Sequence, residues 1–219
     1  MKVEHTVEIL FQGDSITDCS RNRDDVWSLG RGYPNLIAAE LGYRLAESQP
    51  AFMNRGISGN RVSDLYARWN EDAIYLQPKR LSILIGVNDA WRIMDNLPTG
   101  AADRFESAYR HLLQVTKPYL PETGLILMEP FILNCGVPAA KWNEWKALIA
   151  GYQATARQLA AEYDAVWVPL QARFEAACSR ADAAYWIADG VHPTAAGHQL
   201  IADAWLEAVQ SSKLAFSGL

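Results

Sequence analysis

Five short runs of apolar and β-favouring residues, at positions 6–11, 51–54, 81–85, 124–128 and 165–168, recur along the chain, and each reads as a buried strand. The runs at 7–11, 81–85 and 125–128 are nearly continuous in apolar character rather than alternating, as expected where helices cover both faces of a sheet. Between the runs, positions 33–46, 62–72, 102–116, 145–163 and 194–209 carry apolar residues at helical spacing, and Phe105, Ala108, Leu112 and Val115 show the stripe. Breakers such as Pro78, Pro98 Thr99 Gly100, Pro118, Pro121 and Pro138 punctuate the pattern. This alternation predicts an α/β fold: a flavodoxin-like, three-layer α/β/α sandwich around a central five-stranded parallel sheet, with right-handed crossovers. Ligands of such sheets sit beyond the carboxyl ends of the strands. Candidate residues are therefore sought just after strands.

Composition narrows the picture. The 219 residues are read as a single domain, 1–219, with no internal repeat or linker, 50% apolar and 21% charged. A formal charge of −5 and the lack of any Lys/Arg cluster exclude nucleic acid as a partner. No stretch approaches the ~20 apolar residues of a membrane span. The opening residues 1–5 are short and mixed in charge, unlike a signal peptide. Cys19, Cys135 and Cys178 show no CxxC spacing, so neither a disulfide framework nor a zinc site is expected, and reduced thiols point to a cytoplasmic location.

Two local patterns carry chemistry. Ser15 stands in the run Phe11 Gln12 Gly13 Asp14 Ser15 Ile16 Thr17, where the first strand turns. A hydroxyl is a poor nucleophile near neutrality and needs a base to take its proton, with a third group to orient that base. Asp189 Gly190 Val191 His192 Pro193, ahead of the last helix, supplies such a pair: a carboxylate three residues before an imidazole in a tight turn. Pro193 is expected as the first residue of the closing helix. His5, His111 and His198 lack an Asp three residues earlier, and His198 is assigned to the solvent-facing surface of the last helix. Taken singly, each pattern reads as a plain turn.

Ester cleavage also needs donors for the negative charge that develops on the carbonyl oxygen, each worth about 3 kcal/mol. After the second strand, Gly59 in Asn54 Arg55 Gly56 Ile57 Ser58 Gly59 Asn60 allows a backbone N–H to approach a substrate closely. After the third, Asn88 in Gly86 Val87 Asn88 Asp89 offers a neutral amide. Together the four segments outline one rim with nucleophile, acid–base pair and donors.

These blocks, Gly13 Asp14 Ser15, Gly59, Gly86 x Asn88 and Asp189 x x His192, resemble the ordered motifs of the GDSL/SGNH hydrolases over essentially the whole chain. The resemblance implies a serine esterase with catalytic Ser15, Asp189 and His192, and an oxyanion hole formed by the Ser15 backbone, Gly59 and Asn88. Gly56 Ile57 Ser58 Gly59 Asn60, Ala67 Arg68 Trp69 and Asn88 Asp89 Ala90 Trp91 Arg92 are similar to the intracellular acetyl xylan esterase branch. That branch implies a small acetylated xylose substrate, a homo-oligomer, and no metal or organic cofactor. Asp14, Asn60, Trp91 and Trp186 are the candidate substrate-binding residues, with Trp27 a further possible stacking face.

Four alternatives remain to be weighed. An α/β-hydrolase elbow requires Gly-x-Ser-x-Gly, whereas Thr17 follows Ser15 and Asn60 follows Ser58 where the second glycine belongs. A metal-dependent hydrolase would draw on Asp14, Asp18, Asp24 or Asp25 with His192, without a paired-His motif. A carbohydrate-binding module would use the aromatics and need no nucleophile. A lysophospholipase or thioesterase would share the machinery and differ in acyl-chain length.

Overall fold

The computed structural model describes residues 6–95 and 102–217. Five strands, β1 (Val7–Gly13), β2 (Ala51–Asn54), β3 (Arg80–Leu84), β4 (Gly124–Met128) and β5 (Val166–Val168), form one parallel sheet in the order β2-β1-β3-β4-β5. Every pairing between neighbours is parallel. Strand order reverses between β1 and β3, and such switch points open a crevice at the carboxyl edge.

Alternation along β1 assigns the two layers. Phe11 packs edge-on to Tyr33 and against Trp205, so it faces the paired helices Tyr33–Arg44 and Ala195–Gln210. Its neighbour Gln12 points to the other side, where its amide donates to the Asp72 carbonyl. On that side Val62–Ala67, Ala102–Tyr119 and Trp142–Glu162 pack in sequence. Trp205 and Trp69 are both buried, and each indole N–H finds a hydroxyl, Ser82 and Thr116 respectively. Each ring thus keeps its hydrophobic contribution, roughly 2–3 kcal/mol, without orphaning its polar atom.

Boundaries differ from expectation where tertiary contacts decide. β1 runs on through Gln12 and Gly13, which pair with Ile83 and Leu84; a buried glutamine with its own partner does not end a strand. The helix expected over 62–72 is broken at Arg68, whose φ of −120° and ψ of 13° separate Val62–Ala67 from Trp69–Asp72. The helix expected to stop at 116 runs to Tyr119 through Pro118. Pro118 forgoes the bond to the Gln114 carbonyl, which is on an exposed turn where water can replace it, and the ladder resumes with Leu120 N–H on the Thr116 carbonyl. The segment after β3, for which no helix is expected, forms the helix Val87–Met94. Pro98, Thr99, Gly100 and His5 lie outside the described residues.

Candidate active site

Ser15 opens the short helix Ser15–Asp18 directly beyond β1. Asp14 caps it, its carboxylate accepting the Ile16 N–H at 3.0 Å. At the far end of the chain, residues 187–193 close on themselves through a bridge between Ile187 and Pro193 and a bond from Ala188 N–H to the His192 carbonyl. Pro193 is therefore in the bridge and not the first residue of the closing helix. Thr194 caps that helix instead, accepting from Gly197 N–H.

The two segments meet. Ser15 Oγ lies 2.9 Å from His192 Nε2, and His192 Nδ1 lies 2.7 Å from Asp189 Oδ2. Asp189 Oδ1 also accepts the backbone N–H groups of Val191 and His192, at 3.0 and 2.7 Å. Partial burial pushes this carboxyl up, but the His192 and Val191 bonds outweigh it and hold Asp189 below the usual carboxylate range. An ionised Asp189 keeps the imidazole proton on Nδ1 and leaves Nε2 free to accept from Ser15.

The acid–base loop is strapped from below by residues 133–137, following β4. Leu133 N–H donates to the Gly190 carbonyl, Val137 N–H to the Asp189 carbonyl, and Cys135 Sγ to the Ile187 carbonyl. Gly136 and Gly190 both have positive φ, and a Cβ on either would lie 2.2 Å from a backbone oxygen across the contact. Sequence reasoning missed this strap because its backbone bonds leave no mark on residue type; the traces it does leave are Gly136 and Gly190, with Cys135 between the two segments.

The turn at Gly59 and the Asn88 amide are equally fixed. Gly59, at φ +84°, has open space where a Cβ would stand. Asp18 holds this turn by accepting Ser58 N–H and Ser58 Oγ–H, and also pairs with Arg23. Asn88, in the first turn of Val87–Met94, is 9% exposed and donates one amide hydrogen to the Asn60 carbonyl at 3.1 Å.

The candidate substrate residues divide. Trp91 is half-buried, edge-on to Trp145, with its ring centre 6.4 Å from that of His192. Asn60 borders the donor turn with its side chain bound to Arg68. Asp14 and Trp186 are turned inward instead. Asp14 is 1% exposed beneath Ser15, and Trp186 is buried with its N–H on the Ala181 carbonyl and Arg180 over its ring. Trp27 stands exposed on the loop beyond.

His198 corrects an expectation. It is 3% exposed rather than solvent-facing, because its ring stacks on Tyr33 in the helix pair that covers β1. Its Nδ1 accepts the Tyr33 N–H, so its proton sits on Nε2, 3.3 Å from Cys19 Sγ. Burial, and secondarily the charge of His192, push it down to about 4. It stays neutral and is separate from the Ser15–His192–Asp189 line.

Burial also pushes Asp14 up to about 7, against the opposing pull of Ile16 N–H and His192. A carboxyl raised in the folded state contributes stability that is complete below its unfolded pKa and is lost as pH rises through about 7. Asp14→Asn keeps the capping oxygen and removes the titration. Its stability relative to the parent is expected to improve by about 2 to 3 kcal/mol between pH 5 and pH 8. Denaturant melts of both proteins at the two pH values measure this, and a constant difference would show that Asp14 is already ionised at pH 5.

A carboxylate, an imidazole and a hydroxyl in line, beside a glycine turn and an amide, are the parts of an acyl-transfer site. Among the described residues no group of three or more His, Cys, Asp and Glu side chains is placed to hold a metal ion, and no helix is long and apolar enough to cross a membrane. The profile of the GDSL-like lipase/acylhydrolase family matches residues 11–200, and the chain belongs to that family. It is a carboxylic ester hydrolase. An acetylxylan esterase of Geobacillus stearothermophilus is 36% identical over 218 residues, covering 95% of this chain and 96% of that one. The crystal structure of Axe2, an acetylxylan esterase of the same organism, superposes with a TM-score of 0.83 at 34% identity, over 99% of this chain and 100% of the other. A candidate GDSL-like lipase from Parabacteroides merdae superposes with a TM-score of 0.89 at 42% identity, over 94% and 97%.

Proposed function

We propose that this esterase removes acetyl groups from acetylated xylo-oligosaccharides by way of an acyl-Ser15 intermediate. The observation that carries the mechanism is the continuous line from Ser15 Oγ through His192 to Asp189, at 2.9 and 2.7 Å. Ser15 Oγ attacks the acetyl carbonyl while His192 Nε2 takes its proton, and Asp189 steadies the resulting imidazolium. The tetrahedral oxyanion is received by the backbone N–H groups of Ser15 and Gly59 and by Asn88 Nδ2. Collapse expels the sugar oxygen, protonated by His192. Water, deprotonated by the same imidazole, then releases acetate and restores Ser15.

The substrate is supported by the Geobacillus acetylxylan esterases, which the chain matches over nearly its whole length, and by Trp91, whose ring offers a sugar a partly exposed face near His192. Parallel end-point assays of acid released from acetylated xylo-oligosaccharides, a lysophospholipid and an acyl-CoA test it. Preferential acetate release from the sugar is expected; faster turnover of either long-chain substrate would move the enzyme to the lysophospholipase or thioesterase branch.

A further inference from the structure

Asn88 is held by a chain of contacts that begins well outside the groups assigned to catalysis. Its Nδ2 donates to the Asn60 carbonyl at 3.1 Å; the Asn60 side-chain Oδ1 accepts from Arg68 Nε at 3.0 Å; Arg68 Nη1 donates to Asp72 Oδ2 at 2.7 Å. The Arg68 and Asp72 side chains are only 16% and 23% exposed. Arg68 is also the residue that breaks the helix, and its side chain folds back from that break over the donor turn.

We infer that Arg68 is a positioning residue that sets the orientation of the Asn88 amide in the oxyanion hole, acting through Asn60. The two ends of an asparagine amide have nearly the same shape and opposite hydrogen-bonding character. Flipped, Asn88 would present its oxygen to the developing oxyanion and repel it. The Asn60 carbonyl excludes that state, since it accepts only from the NH2 end, and one pinned hydrogen aims the second at a fixed angle. This selection works only while the Asn60 carbonyl holds its place. Asn60 N–H is tied to the Ile57 carbonyl on one side, and Arg68 fixes the side chain on the other. Arg68 shares Asp72 with Arg55, which lies 3.7 Å from the other carboxylate oxygen, and it reaches the site through its bond to Asn60. A guanidinium reaches Asn60 and Asp72 with separate donors in one rigid plane, which a lysine does not reproduce.

The inference rests on Asn88 being an oxyanion donor, and a kinetic double-mutant cycle separates the two claims. Asn88→Ala alone is expected to lower kcat by about 10²–10³-fold. Arg68→Met is expected to lower kcat about tenfold, the scale of one misplaced hydrogen bond, with KM changed by less than about twofold. In the Asn88→Ala background the same change at Arg68 is expected to leave kcat nearly unaltered. Multiplicative effects, or a change confined to KM, would overturn the positioning role and leave the oxyanion assignment standing. Unchanged kcat in Asn88→Ala would overturn both. Should Arg68→Met fail to fold, Asn60→Ala takes its place in the cycle, removing the acceptor of Arg68 Nε while leaving the ion pair with Asp72; unaltered kcat there would equally overturn the inference.

Discussion

Replacing Ser15 with alanine is expected to reduce turnover of p-nitrophenyl acetate by roughly 10⁶-fold, the scale on which serine hydrolases lose activity without their nucleophile. The fold is expected to survive. The Asp14 cap reaches the Ile16 N–H and not the Ser15 hydroxyl, and alanine is well tolerated in the short helix that Ser15 opens. The serine hydroxyl bonds to His192, so its loss removes a reacting group and little else. The measurement is acetate release alongside a thermal melt. Activity above about 1% of the parent with an unchanged melt would remove Ser15 from the role of nucleophile; a residual about 10³-fold over water is the share left to the oxyanion donors.

Asp189→Asn carries the second-largest expected effect, a fall in kcat of about 10⁴-fold. The two oxygens of Asp189 do different work. Oδ1 receives the Val191 and His192 backbone N–H groups and so shapes the loop, while Oδ2 faces His192 Nδ1. Asparagine preserves the first task with its remaining oxygen. Its NH2 end then meets Nδ1 as a donor, which drives the imidazole proton to Nε2 and removes the acceptor that Ser15 needs. The loop should stay folded while the base is held in the wrong tautomer. Asp189→Ala, by contrast, should also uncap two backbone donors and lower stability by roughly 1–2 kcal/mol. Turnover of Asp189→Asn within tenfold of the parent would show that the imidazole does not depend on this carboxylate.

The layers of the fold and the chemistry of the site were legible to different degrees, for physical reasons. Runs such as 81–85 and 125–128 announce buried parallel strands because covering helices demand apolar side chains on both faces. Gln12 defeats that rule: it is buried and polar, and only the distant Asp72 carbonyl makes its place tolerable. His198 defeats the complementary one, since an imidazole becomes a core residue once Tyr33 N–H and Cys19 satisfy it. Ser15, Gly59, Asn88, Asp189 and His192 could be nominated because acyl transfer restricts residue type and order. What supports them could not. The strap at 133–137 acts mostly through main-chain bonds, Asp14 reads as a substrate contact until its burial is known, and Arg68 stands only as part of the family-like run Ala67 Arg68 Trp69 until its clamp on Asn60 is seen.

Ser15 and His192 stand 177 positions apart, and the loop carrying His192 is fastened by a segment from between them. Hydrolytic competence therefore appears only after the earliest strand, the middle of the chain and the approach to the final helix have all docked. A partly folded species with a finished β1–β3 core would be catalytically silent. Ester turnover in this protein is thus a gauge of the fully assembled state, and its disappearance on denaturation should coincide with global unfolding or precede it, since release of the 187–193 loop alone separates His192 from Ser15.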